Sequence, residues 1–178
     1  MAFVTLQSSK KTYSGKEEIQ DFLRYHGIAY ESWQVPQTLS PLAKKDLLTP
    51  EEKTELLSVY QPELETLKTS KGYIENDVIC LCPQTPQIGE LLSKFDKDHY
   101  HTDDEVRFIF SGRGIFGFEG EKQEKFTIEV TGGDYIVIPA YHWHWFTLGE
   151  NRDIKAIRLF QDKSGWVPYY RETNGVGR

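Results

Sequence analysis

Cysteine is nearly absent from this chain. Its 178 residues hold two, Cys80 and Cys82. They share one face of an expected strand, and neighbours that close seldom make an unstrained disulfide. No second cysteine or histidine cluster lies near them, so they read as reduced, buried strand residues. No apolar run approaches the length that spans a bilayer. The first residues, Met1 to Gln7, lack the basic-then-apolar layout of a signal peptide. A cytoplasmic protein with no membrane partner is the expectation. Charge of one sign never accumulates either. The net charge of −6 is modest and comes in no long block, which argues against a nucleic-acid partner.

What the chain does have is apolar mass. Hydrophobic residues make up 38% and aromatics 13%, so a packed core is expected and disorder is not. The length suits one domain. Residues 1–72 read as helix-rich. Ser14-Gly15-Lys16-Glu17 has capping-box spacing, and Ile19, Phe22, Leu23 and His26 recur at helical spacing up to Gly27. His26 lies on that apolar face and reads as a packing or capping histidine. Ile28 to Trp33 reads as a strand and 34–48 as a loop. Thr49-Pro50-Glu51-Glu52 is a second capping box with proline at the first helical position. Pro62 breaks or kinks that helix, and a short piece continues to Gly72. Val78 to Leu81 is an expected strand, and Thr85-Pro86 opens a third helix. From residue 99 onward the character changes. Short strands at 106–110, 115–119, 126–130, 135–138, 143–147 and 154–160 alternate with turn signals, which indicates a sandwich or barrel. The expected class is α+β, mainly β: one domain over 1–178, with the barrel over 73–171 and a tail at 172–178.

The chemistry concentrates at 98–112. His99 and His101 are two residues apart, so in an extended strand they share a face, with Tyr100 opposite. Counting by twos from Glu105 puts Arg107 and Ile109 on the carboxylate's face and Val106, Phe108 and Phe110 on the other. Two imidazoles, a carboxylate and a guanidinium would look into one space. That donor set suits a borderline divalent metal such as iron, nickel or zinc. Further on, Tyr141-His142-Trp143-His144 offers a fourth donor, and geometry alone leaves His142 and His144 equal.

The spacing of His99, His101, Glu105 and Gly112 matches the first motif of the cupin superfamily. Gly133, Pro139 and His144 match the second, which selects His144. Ser93, Tyr141 and Leu148 depart from the general cupin pattern. A narrower resemblance covers nearly the whole chain, in pieces from about Ser14 to Arg171. The runs Asp104-Glu105-Val106-Arg107-Phe108, Pro139-Ala140, His144-Trp145-Phe146, Ala156-Ile157-Arg158-Leu159-Phe160 and Gly165-Trp166 resemble acireductone dioxygenase, particularly its bacterial form. So do Glu17-Glu18-Ile19-Gln20 and Tyr30-Glu31.

The resemblance implies a cupin-type β-barrel, or jelly roll, with an N-terminal helical segment. It implies one Fe(II) or Ni(II) per chain, held by His99, His101, Glu105 and His144, with two positions left for an enediolate substrate. It implies an acireductone and O2 as the small-molecule partners, methionine salvage as the setting, and a monomer. Arg107 would stabilise the substrate dianion, and its bland alternative is a salt bridge to Glu105 or Asp104. Arg158 resembles a second arginine of the site, with a rim salt bridge as the alternative. Phe95, Phe146 and Trp166 match positions lining the pocket for the methylthio tail; for each the alternative is ordinary core packing, which serves at least as well for Phe95 on its helical stripe. Asp98 occupies a position linked to metal loading, and a surface aspartate is the simpler account. A non-redox metal-binding cupin, an isomerase or binding module, is the competing reading. A purely structural barrel has no need of an open metal site.

Overall fold

The structure is a computed structural model that describes residues 2–162 and 167–172. In chain order the strands and helices are β1 (Phe3–Leu6), β2 (Thr12–Tyr13), α1 (Lys16–Tyr25), β3 (Ala29–Ser32), α2 (Ser40–Ala43), α3 (Pro50–Val59), α4 (Gln61–Lys71), β4 (Glu75–Leu81), α5 (Ile88–Phe95), β5 (His99–Tyr100), β6 (Glu105–Glu119), β7 (Lys125–Thr131), β8 (Asp134–Ile138), β9 (His144–Leu148), β10 (Ile154–Phe160) and β11 (Tyr169–Tyr170). The expected mainly β, α+β barrel is what forms. One sheet runs β11-β5-β9-β6-β7-β1-β2 and the other β3-β8-β6-β10-β4, every pair antiparallel.

Strand β6 belongs to both sheets. Its first part pairs with β8 and β10, its second with β7 and β9. The passage between them is a bulge: Ala156 faces Ile109 while Lys155 faces Ser111, leaving Phe110 extra. An extra residue bends a strand and sharpens its twist. Gly112, just beyond, has φ +83°, and a Cβ there would meet the Asp153 carbonyl at 2.2 Å. Ser111-Gly112, which reads as a turn in sequence, is therefore a bend inside one 15-residue strand.

The strand pattern sorts side chains into two cores. Ile109, Phe116, Phe146, Ile154 and Ala156 face inward, with Ile19 and Leu23 of α1 packed among the same cluster. Val106, Phe108, Phe110, Ile157 and Leu159 face the other way, onto Leu42, Leu56, Tyr60 and Leu64 of the helical segment. That segment also supplies β1, β2 and β3 to the two sheets.

The helix ends follow their local chemistry. Thr49 caps α3 as expected: its Oγ1 accepts the Glu52 N–H at 3.3 Å, and the Glu52 carboxylate accepts the Thr49 N–H at 2.9 Å. Helix α1 starts one residue later than Ser14 suggests. Gly15 is the cap, its N–H on the Glu18 carboxylate at 3.4 Å. Pro62 sits in the first turn of α4, where no N–H is needed, and the break falls at Tyr60. The expected loop at 34–48 contains a 3-10 turn, Gln37–Leu39, and the short α2. Helix α5 begins at Ile88 because Thr85 is used in a turn: its hydroxyl accepts the Cys82 N–H and donates to the Cys80 carbonyl. Cys80 and Cys82 are free and buried. No helix among the described residues is long and apolar enough to cross a membrane.

Candidate metal centre

The ends of three strands, β5, β6 and β9, bring His99, His101, Glu105 and His144 together. His99 of β5 lies directly across from His144 of β9, their rings 4.4 Å apart. His101 follows two residues later, and its carbonyl accepts the Tyr141 N–H at 2.8 Å, which ties the two histidine loops. Glu105 opens β6. All four are buried, and one donor atom from each lies within 4.8 Å of the others.

Each imidazole is oriented by a main-chain carbonyl. Nδ1 of His99 lies 2.6 Å from the Lys97 oxygen, that of His101 3.3 Å from Val167, and that of His144 2.8 Å from His142. A carbonyl only accepts, so each Nδ1 carries the proton and each Nε2 presents a lone pair. This is how metal-bound histidines are held. Two of these Nε2 atoms, of His101 and His144, stand 3.2 and 3.1 Å from the same Glu105 oxygen. Acceptors facing acceptors are complementary to a cation. Ligand bonds of about 2.1 Å at right angles put neighbouring donors about 3 Å apart, so the group fits a single metal ion. Burial, then the neighbouring His144, pushes His99 down to about 4, which favours the neutral ring a metal needs. Burial alone would raise the Glu105 carboxyl. The Arg107 charge beside it outweighs burial and holds the group well below the usual range.

Arg107 is largely buried beside Glu105, with its Nη2 3.1 Å from the other carboxylate oxygen. Burial, opposed by Glu105 and joined by Arg158, pushes the guanidinium down to about 9, so it stays charged at neutral pH. Above these groups lies a cavity of about 240 Å³. Its polar end is His99, His101, Glu105 and Arg107. Its apolar end includes Ile79, Leu81, Phe95, Phe116, Phe146 and Ala156.

The other expected site residues are placed unequally. Phe95 and Phe146 both line the cavity, edge to face at 6.4 Å. Arg158 does not line it. Its Nε donates to Asp77 at 2.7 Å and Nη2 to the second Asp77 oxygen, so the rim salt bridge is the arrangement found. Arg158 lies directly across from Arg107, and Asp77 relieves the repulsion of two facing cations. Asp98 lies outside the cavity, in a separate notch with Gln7, Glu119 and Lys125. Trp166 falls outside the described residues. The His142 side chain packs edge-on to Phe118 and is not one of the four. Sequence reasoning missed Asp77, Pro168 and Tyr170. The last two come from the C-terminal segment, which pairs with β5 and walls the cavity. No local pattern marks a partner so distant in the chain.

A family model described as ARD/ARD' matches residues 11–168. The chain belongs to the acireductone dioxygenase family. It is 45% identical over 177 residues to the acireductone dioxygenase of Leptospira interrogans, covering 99% of both chains. It is 39% identical over 173 residues to that of Bacillus pumilus, covering 97% of this chain and 98% of the relative. Among solved structures it is similar to an acireductone dioxygenase from Bacillus anthracis with a cadmium ion in its active centre. That match has a TM-score of 0.89 at 39% identity and covers 96% of this chain and 98% of the other. The family is one of dioxygenases, and the chain is an enzyme of that class.

Proposed function

We propose that this protein cleaves the methylthio acireductone 1,2-dihydroxy-3-keto-5-methylthiopentene with O2, in methionine salvage. Acting as a cytoplasmic monomer of one domain, it would hold one Fe(II) or Ni(II) through His99, His101, Glu105 and His144. The observation that carries the reading is a buried four-donor set beside a largely buried arginine at the polar end of an otherwise apolar cavity. A bound divalent metal supplies Lewis-acid chelation of the enediolate oxygens. The protein's own groups do the rest. Glu105 balances Arg107 in the resting site. Arg107, charged and fixed, faces the developing dianion and favours full deprotonation of the enediol. The apolar walls take the methylthio tail and exclude water, which strengthens that attraction. Arg158, paired to Asp77, supports Arg107 from the next strand, and Asp98 contributes only near the loop that bears His99. The products expected with Fe(II) are formate and 4-methylthio-2-oxobutanoate. With Ni(II) they are carbon monoxide, formate and 3-methylthiopropanoate.

The test is aerobic turnover of the acireductone by protein loaded with each metal in turn, followed by oxygen electrode and NMR. Metal-dependent oxygen uptake with these products is expected. Full metal occupancy with no oxygen uptake would overturn the dioxygenase reading and leave a non-redox metal-binding cupin.

A further inference from the structure

The sheet beneath the cavity is laid in cross-strand rows. Register places Asp77, Arg158 and Arg107 side by side across β4, β10 and β6. The next row inward is Ile79, Ala156 and Ile109, and the third is Leu81, Ile154 and Gly112. Residues two apart share a face, and the bulge at Phe110 absorbs the odd step between Ile109 and Gly112, so all three rows look the same way. The first row is charged; the other two are apolar. In the second row two isoleucines flank an alanine, and all three line the cavity. Ala156 is therefore the low point of the floor, with the rings of Phe116 and Phe146 among the groups enclosing the same space.

Rows on a strand are about 7 Å apart. A substrate whose polar head sits at Arg107 reaches the second row with whatever it carries next. For the proposed substrate this is two methylenes, a sulfur and a methyl, roughly 5 Å in extended form at about 1.5 Å or slightly more per bond. The tail would then lie over Ala156. A β-branched residue there would fill the dip between Ile79 and Ile109.

We propose that Ala156 is the specificity-determining residue of this cavity, setting how much apolar tail it accepts behind a chelating head. The inference rests on the acireductone reading for the identity of the tail. It does not rest on that reading for the existence of the dip.

The test separates the two. Zinc-loaded protein is titrated calorimetrically with a series of straight-chain alkyl hydroxamates, which chelate metal and leave the chain to find its own place. In the parent protein affinity should rise about fourfold per methylene over the first few carbons and then stop rising. Ala156→Val should flatten that rise while acetohydroxamate, with no tail to place, changes least. Ile79→Ala combined with Ala156→Val returns volume to the same row and should restore the rise. Ala156→Gly deepens the dip and should move the stopping point to a longer chain, which keeps the question answerable if the valine variant fails to hold metal. With iron-loaded enzyme, Ala156→Val should lower kcat/KM for the methylthioethyl acireductone by about tenfold or more relative to a methyl-tailed one. An unchanged chain-length profile in both the valine and glycine variants overturns the proposal, as does equal loss on long and short tails at full metal content. If the parent protein turns over no acireductone but shows a chain-length profile governed by Ala156, the assigned reaction is wrong and the role of Ala156 stands.

Discussion

The two ends of the cavity are held by different forces. At the polar end His99, His101, His144, Glu105 and Arg107 each have a polar partner at hydrogen-bond or ion-pair distance. At the other end Ile79, Ala156, Ile109, Phe116 and Phe146 are held by packing. A buried polar array depends on every member, since one lost partner strands another. A packed wall tolerates exchange that conserves volume. Substitutions at the polar end should therefore act steeply on metal and chemistry, while those at the apolar end act gradually on stability and tail binding.

The largest effect expected is from His144→Ala. It removes one of the four metal donors, so metal content should fall well below one per chain and turnover by at least about a thousandfold. Elemental analysis with turnover assays checks both. Arg107→Met should leave metal content near one per chain and lower kcat/KM by about a hundredfold to a thousandfold. Loss of metal instead would make Arg107 a structural partner of Glu105. Acid titration of the metal-free protein should show a third effect. His99 is held near 4 in the folded state, below its ordinary 6.5. The unfolded chain therefore binds the extra proton first, and stability falls as pH drops from 6.5 toward about 4. Glu105 stays ionised throughout that window. A flat denaturation midpoint across it would contradict the neutral, buried ring. At the apolar end Phe146→Leu, a smaller and less shape-matched side chain, should cost about 1–2 kcal/mol in denaturant unfolding and keep the metal. The smallest effect belongs to His142→Phe. Only the backbone carbonyl of His142 serves His144, so metal content should hold and stability should move by no more than about 1 kcal/mol.

The same contrast explains what was readable in sequence. The face arithmetic at 105–110 needs only a period of two, and it correctly separates Arg107 and Ile109 from Val106, Phe108 and Phe110. The grouping of His99, His101, Glu105 and His144 was legible for the same reason, with motif spacing to choose between His142 and His144. The bend at Ser111-Gly112 was not, because glycine and serine serve a turn and a bulge alike, and only the pairing with β10 decides. Strand β1 went unread although Val4 and Leu6 alternate inward; its partner is β7, over a hundred residues away. Arg158 shows the limit most clearly. Its own strand was located, but whether it turned to the cavity or the rim depended on Asp77, a neighbour only in the folded register.

The three carbonyls behind the histidine rings have a consequence for how this centre can change. They belong to the main chain at Lys97, His142 and Val167. No exchange of one side chain for another deletes a carbonyl, so the aim of the rings is protected against most point mutations. It is exposed to changes of length. One residue inserted between Lys97 and His99, or between His142 and His144, shifts the carbonyl relative to its ring while leaving every donor in the chain. The centre should drift easily in its surroundings and hardly at all in its spacing.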